Sequence, residues 1–138
     1  MADEEKVREM QQKYIELQLI EQQLKQFQKQ IQNIDLQIVE LNNTKANIEE
    51  LKDVKPGSEV LIPISPGIFF DGAVKNSSEF KVNIGADIVV VKSASETKKL
   101  VDEQISELNK LREEMIRNLQ ELVLQAQAVE KDLEKLSD

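Results

Sequence analysis

The distribution of glycine and proline constrains the fold of this chain more than any other feature. All of them lie between residues 56 and 85, namely Gly57, Gly67, Gly72, Gly85, Pro56, Pro63 and Pro66. The 55 residues before this stretch and the 53 residues after it contain neither residue type. Because Gly and Pro interrupt helices more than other residues do, the sequence predicts two long helices on either side of a turn-rich centre.

Both flanking segments repeat apolar residues with a period of seven. In the first segment, the a and d sites are Met10, Lys13, Leu17, Ile20, Leu24, Phe27, Ile31, Ile34, Ile38, Leu41, Lys45 and Ile48. In the second, they are Lys98, Val101, Ile105, Leu108, Arg112, Met115, Leu119, Leu122, Ala126, Val129, Leu133 and Leu136. Ten of the twelve sites in each segment are apolar. A repeat of 3.5 residues sustained over about six heptads predicts a coiled coil.

The near-equal lengths of the two segments favour antiparallel pairing within one chain. If the numbers of facing residues sum to 146, Leu24 lies opposite Leu122 and Ile34 lies opposite Arg112. In this register no layer pairs two charged residues, and each charged side chain can lay its methylene stem along an apolar partner. Slips of one heptad, with sums of 139 or 153, are the alternative registers.

The centre predicts four short strands, at residues 59–64, 68–74, 79–84 and 88–92, which form two hairpins. We expect an edge or a strand end at Pro63, and a bend or bulge at Asp71–Gly72. Two hairpins bury little surface and leave strand edges open, which predicts assembly through the strands. The domain prediction is an N-terminal helix (1–53), an oligomerisation region (54–93) and a C-terminal helix (94–138) within one domain. The strand residues assigned to assembly are Val60, Ile62, Ile64, Ile68, Phe70, Val82, Ile84, Val89 and Val91.

Composition excludes several functional classes. The chain has no Cys and no His, and its net charge is -8. It therefore lacks the commonest general base and metal ligand, and it repels nucleic-acid phosphates. We expect no catalytic residue, no cofactor, no metal site, no nucleic-acid partner and no membrane span. The acidic N-terminus does not have the form of a secretory signal, which suggests an intracellular protein. Ser95 fits the cap of the second helix better than a nucleophile.

Six apolar residues gather at the chain ends in the folded-back arrangement: Val7, Met10, Tyr14, Val129, Leu133 and Leu136. One interpretation is that they only close the coiled coil. The other is that the ends fray and expose some of them to a client protein, since adaptable apolar surface suits promiscuous binding. Further apolar residues off the seam support the second interpretation: Ile15, Leu19, Ile116, Val123 and Leu124.

The central sequence resembles a known family. Residues 60–70 (VLIPISPGIFF) resemble the first hairpin of prefoldin subunits, and residues 82–91 (VNIGADIVVV) resemble the second hairpin of the α-type, archaeal-type subunits. The resemblance implies an α+β fold, in which a long antiparallel two-helix coiled coil carries two central β-hairpins that assemble into an oligomeric β-barrel platform.

The same resemblance implies a function and partners. It implies a cytoplasmic hetero-hexamer of two α-type and four β-type prefoldin subunits. This ATP-independent chaperone would bind unfolded client proteins with its coiled-coil tips and deliver them to a group II chaperonin. The alternative is a structural or filament-forming coiled-coil scaffold. An enzyme is disfavoured because His, Cys and a pocket-forming core are missing.

Overall fold

The computed structural model describes residues 2–137 as two long helices separated by two β-hairpins, which confirms the predicted elements. The elements are α1 (Ala2–Leu51), β1 (Glu59–Ser65), β2 (Ile68–Ala73), β3 (Glu79–Gly85), β4 (Ile88–Ser93) and α2 (Ala94–Ser137). Met1 and Asp138, the outer ends of the predicted segments 1–53 and 94–138, lie outside the described residues. The grouping of the three predicted segments into one domain stays a prediction.

The chain divides into two compact units, one formed by Met1–Gln37 with Glu107–Asp138 and the other by Ile38–Ser106. In the first unit, Ile20, Val129 and Leu133 form a buried cluster. The apolar residues packed against this cluster are Met10, Leu17, Leu24, Leu122 and Ala126. Residues from the start of α1 thus pack against residues from the end of α2, and the two helices are antiparallel here.

The fold removes the predicted seam residues from solvent. All of the a and d sites from Met10 to Ile48 and from Lys98 to Leu136 are buried or half-buried. Between Met10 and Ile48, Asp35 is the one other residue that is not exposed. Ile34, Ile48 and Val101 are, like Ile20 and Val129, among the most buried side chains of the described chain. The seven-residue pattern therefore identified the buried stripe of both helices.

Ion pairs between the helices establish the register. In the first unit, Lys13 Nζ lies 3.3 Å from Asp132 Oδ2, and Arg112 Nε donates a hydrogen bond of 2.6 Å to Asp35 Oδ1. In the second unit, Lys45 Nζ lies 2.5 Å from Asp102 Oδ1, and Lys98 Nζ contacts Glu49 Oε2.

The residue numbers of these pairs sum to 145 or 147. The predicted register of 146 is confirmed, because the sums of 139 and 153 would separate the partners by about 9–12 Å along the helix axis. The structure adds that each charged seam residue meets a carboxylate of the opposite helix.

The N-cap residue of α2 is Ser93 and not Ser95. Glu96 N donates to Ser93 Oγ over 3.1 Å, and Ser93 N donates to Glu96 Oε1 over 3.2 Å. This reciprocal pair is a capping box, which satisfies two backbone donors at the helix start. Thr97 adds a 2.7 Å bond from its hydroxyl to the Ser93 carbonyl oxygen. The prediction of Ser95 was wrong because Glu96 lies three residues after Ser93, the spacing that a capping box requires.

The four strands form two separate antiparallel pairs, β1 with β2 and β3 with β4. The turn between β1 and β2 contains Pro66 followed by Gly67, whose φ is 81°. Pro followed by a residue of positive φ is typical of a type II turn. Pro63 lies on an edge strand, as predicted. The bulge predicted at Asp71–Gly72 is absent there, since both residues pair regularly, and the register shift lies between Pro63 and Ser65.

The turn between β3 and β4 places two residues other than glycine at positive φ. Ala86 has a φ of 50° and Asp87 has a φ of 61°. Two consecutive positive φ values are typical of a type I′ turn, whose twist suits a hairpin. Asn83 Oδ1 accepts a 2.9 Å hydrogen bond from Gly85 N just before this turn. The strands pair regularly from Glu79 with Ser93 to Asn83 with Val89, and the register shifts between Asn83 and Gly85, next to the turn.

Candidate functional site: apolar surfaces of the hairpins and the coiled coil

The hairpins of the second unit present apolar side chains that nothing in the described chain covers. On β1 and β2, Ile62 pairs with Phe70, and Val60 pairs with Gly72. Ile62, Ile64, Ile68 and Phe70 are all exposed. Val60, Ile62, Ile68 and Phe70 share one face, because alternate residues of a strand point the same way. This face contains four of the five residues that we assigned to assembly on the first hairpin, and the fifth, Ile64, lies at the register shift between Pro63 and Ser65.

The opposite face of the same hairpin is also apolar. Leu61, Pro63 and Phe69 lie on it, and Leu61 and Phe69 are exposed. We did not assign these residues to assembly, although the unbroken apolar runs around them were visible in the sequence. Strands that are apolar on both faces are typically buried on both sides. We therefore expect other protein surface to cover each face of this hairpin.

The residues assigned to assembly on the second hairpin lie on two faces and not on one. Val82 pairs with Val90, and Ile84 lies at the register shift between Asn83 and Gly85. Val91 pairs with Lys81, and Val89 pairs with Asn83, on the opposite face. Ile84, Val89 and Val91 are exposed. The sequence identified the apolar residues but not their sides, because the side of a residue in β4 depends on the pairing that the two-residue turn imposes.

Glycine at position 72 leaves room for the side chains of β1. A Cβ atom built there would lie 2.5 Å from the Cδ1 atom of Ile62 and 3.6 Å from a methyl group of Val60. The absent side chain lets these two residues fold over the strand. Gly72 therefore shapes the apolar face that contains Val60 and Ile62.

The six residues at the chain ends fall into two groups. Val129, which is 4% exposed, and Leu133 belong to the buried cluster of the first unit. Met10 and Leu136 are half-buried, whereas Val7 and Tyr14 are 52% and 54% exposed. The interpretation that these residues close the coiled coil fits Val129 and Leu133. Val7 and Tyr14 are available to a partner without any opening of the helices.

Most of the apolar residues off the seam are exposed as well. Ile15, Leu19, Val123 and Leu124 are exposed, and Ile116 is half-buried. The structure adds Leu36, Val39 and Leu111, which we had not considered as surface residues. Their heptad positions lie off the a and d seam, and that spacing could have identified them from sequence.

Hydrogen bonds shift the pKa values of charged groups on α1 and α2. The hydrogen bond to Asp132 raises the pKa of Lys13 above its ordinary value. Hydrogen bonds from Lys52 and Lys98 lower the pKa of Glu49 to about 2. At the start of α2, the backbone hydrogen bond from Ser93 lowers the pKa of Glu96. These ionised groups stabilise helix pairing and helix capping.

Within residues 2–137, no three acidic side chains come together in a way that could hold a metal ion. Across the same residues, neither helix contains a stretch long and apolar enough to cross a lipid bilayer. The surfaces that stand out in this chain are therefore apolar contact surfaces on the hairpins and on the coiled coil.

The comparisons with known proteins agree with one another and concern a single family. The family model described as "Prefoldin subunit" matches residues 20–138. The chain is 28% identical to prefoldin subunit alpha of Methanococcus vannielii over 127 residues, covering 92% of this chain and 85% of that protein. It is 26% identical to prefoldin subunit alpha of Archaeoglobus fulgidus, covering 91% and 92% of the two chains.

Among solved structures, a cryo-EM structure of filamentous PFD from Methanocaldococcus jannaschii has a similar fold. The TM-score is 0.76 at 20% sequence identity, and the match covers 83% of this chain and 95% of that chain. At this identity the likeness concerns the fold, and it agrees with the two long helices and two hairpins described above.

Proposed function

The chain belongs to the prefoldin family, and from this premise we propose that it is the α-type subunit of an ATP-independent chaperone that holds unfolded proteins. Membership of the family implies a chaperone role and not an enzymatic one. In the proposed complex, two copies of this chain combine with four β-type subunits in the cytoplasm. The complex captures unfolded clients and passes them to a group II chaperonin.

The exposed apolar faces of the hairpins support the assembly part of this proposal. An isolated two-stranded hairpin is marginally stable in water, and here both hairpins expose Ile, Val and Phe side chains. Association with strands of neighbouring subunits would cover these faces and satisfy the free strand edges. A closed barrel of strands is the arrangement that leaves no edge open, which favours a platform of finite size.

The apolar residues at the chain ends support client binding, and this is the observation on which the proposed function depends. Val7 and Tyr14 are more than half exposed on a helix that is otherwise rich in charged and polar residues. Each offers a weak contact to apolar segments of an unfolded protein. Several subunits in one complex would add such contacts through effective concentration, so that holding is firm but reversible.

The test replaces the chain-end residues that lie outside the buried cluster. We expect Val7→Gln and Tyr14→Gln together to reduce suppression of client aggregation several-fold, because exposed apolar contacts are lost while a good helix former is kept. The measurement is light scattering of a chemically unfolded client diluted into the assembled complex. Val129 and Leu133 stay unchanged because their replacement would open the coiled coil.

The matched control carries Leu36→Gln and Val39→Gln, which remove exposed apolar side chains away from the chain ends. It should suppress aggregation as well as the unmodified chain does. Full suppression by the chain-end variant, with its helix content intact by circular dichroism, would contradict client binding at the ends.

A second candidate function is a filament-forming scaffold. The observation that favours it is the solved structure of filamentous PFD from Methanocaldococcus jannaschii, whose fold this chain shares. The same exposed hairpin faces that would close a barrel could also add subunits without limit, because an interface whose rotation does not close generates a filament. The size of the assembly formed with a β-type subunit distinguishes the two functions.

A further inference from the structure

The two lateral sides of the coiled coil can be distinguished in the first unit. In an antiparallel pair, the e positions of both helices border one side of the seam and the g positions border the other. The bond from Arg112 to Asp35, an e residue, and the ion pair of Lys13 with Asp132, a g residue, agree with this arrangement. A shallow groove that spans both helices is lined by the g residues Gln23, Asn118 and Gln125.

The chemistry of the two sides differs. The g side of this unit is polar apart from Leu111, and its residues are Glu9, Glu16, Gln23, Gln30, Gln37, Leu111, Asn118, Gln125 and Asp132. The e side contains four apolar or aromatic residues, and its residues are Val7, Tyr14, Glu21, Gln28, Asp35, Asn109, Ile116, Val123 and Glu130. Three of those four are exposed, including Val123 at 40%. Of these two lateral sides of the coiled coil, the e side is therefore the more apolar.

The e side continues the apolar surface of the chain end along the coiled coil. In the observed register, Val123 lies opposite position 23 of α1, roughly 24 Å along the axis from Val7. Around Val123, a groove is lined by Leu119, Gln120, Val123, Leu124 and Gln127, and none of these residues is charged. An extended polypeptide rises about 3.3 Å per residue, so about seven residues would span the distance from Val7 to this groove.

The charges on the e side indicate which kind of segment can bind there. Besides its apolar residues, the e side has the exposed carboxylates Glu21 and Glu130, while its third carboxylate, Asp35, is bonded to Arg112. A second copy docked by the same face would bring these carboxylates together, which is unfavourable. A segment with Lys or Arg among its apolar residues would complement them.

We propose that the e side of the coiled coil, from Val7 and Tyr14 to Ile116 and Val123, is a lateral docking surface for one extended segment of unfolded polypeptide that combines apolar with basic residues. This inference rests on the proposed chaperone function and specifies the class of client segment and the side that receives it. The proposal places two of the binding residues, Ile116 and Val123, on α2 well away from the chain end.

The test measures binding of a fluorescein-labelled peptide of twelve residues, made of Leu, Val and Lys, to the assembled complex by fluorescence anisotropy. We expect Tyr14→Gln with Val123→Gln to weaken binding roughly tenfold, since two apolar contacts are removed. Leu111→Gln is the matched control, because Leu111 is an exposed apolar residue of the g side. Its Kd should match that of the unmodified chain. Tyr14→Leu with Val123→Leu should retain binding, which separates lost apolarity from lost folding.

A peptide with Glu in place of Lys should bind several-fold more weakly, and salt should reduce this difference. An equal loss of peptide binding in the e-side and g-side variants, or no loss of binding in either, would overturn the proposal of a lateral docking surface. Self-association that depends on Tyr14 and Val123, without peptide binding, would also overturn it in favour of a second copy. The proposed function fails separately, if the unmodified complex does not suppress client aggregation.

Discussion

At the scale of single residues, the four cations of the seam specify how the helices align. Lys13, Lys45, Lys98 and Arg112 each contact a carboxylate of the opposite helix. Partly exposed ion pairs contribute little to stability, typically about 0–1 kcal/mol each. Their effect on alignment is larger, because a slip of one heptad would separate every pair at once. Charged residues at seam positions are a known means of fixing register at some cost in stability.

Glu49 gives this network a pH dependence whose sign is fixed. Its pKa is lowered from 4.5 to about 2 by hydrogen bonds from Lys52 and Lys98. A carboxyl group with a lowered pKa in the folded state stabilises that state above the unfolded pKa, and the contribution is lost as the pH falls. We therefore expect the contribution of Glu49 to be complete above pH 4.5 and to disappear towards pH 2.

Glu49→Gln should make the free energy of unfolding less dependent on pH between 4.5 and 2. The effect should be small because the carboxylate is solvated. Urea unfolding followed by circular dichroism at a series of pH values would measure it, with Glu50→Gln as the control at the neighbouring exposed carboxylate. Equal pH dependence of the unmodified chain and the Glu49 variant would contradict this role for the ion pairs.

At the scale of secondary-structure elements, most of the fold could be predicted because the relevant signals are local. The heptad repeat identified every buried or half-buried a and d site, and the cluster of Gly and Pro marked the turns. The sides of Val89 and Val91 could not be predicted, since they depend on pairing across a turn. Ser93 could have been recognised as the cap from Glu96 three residues later.

The candidate site was less predictable than the fold. Val129 and Leu133 occupy seam positions, and the pattern alone could not say whether they stay buried at the end of the coiled coil. Their burial depends on contact with Ile20 of the opposite helix. Val7 and Tyr14 are exposed because both occupy e positions, which border the seam without entering it. Heptad position was therefore the signal that separates the exposed pair from the buried one.

The register of α1 and α2 can be tested with cysteines, because the chain has none of its own. Leu24→Cys with Leu122→Cys should form a disulfide within one chain, since both residues pack against the same cluster. Pairing position 24 with 115, or position 31 with 122, should not, because the residues are then one heptad, or roughly 10 Å, out of register. Gel mobility without reductant distinguishes a bond within one chain from a bond between chains. Faster cross-linking of either control pair would contradict the register.

At the scale of the whole molecule, the chain has apolar surface that it cannot bury by itself. Both hairpins expose large apolar side chains, and so does the e side of the coiled coil. Contiguous exposed apolar surface marks interaction sites in soluble proteins. The two surfaces call for different partners: permanent neighbours are needed at the hairpins, and reversible contacts suit the coiled coil.

The most direct test of the proposed chaperone function mixes this chain with a β-type prefoldin subunit and measures two properties of the same sample. Native mass spectrometry gives the composition of the complex, and light scattering gives the aggregation of an unfolded client without ATP. We predict one closed complex with two copies of this chain and four of its partner, which suppresses aggregation. Assemblies that grow without limit and leave client aggregation unchanged would contradict the chaperone and favour a scaffold.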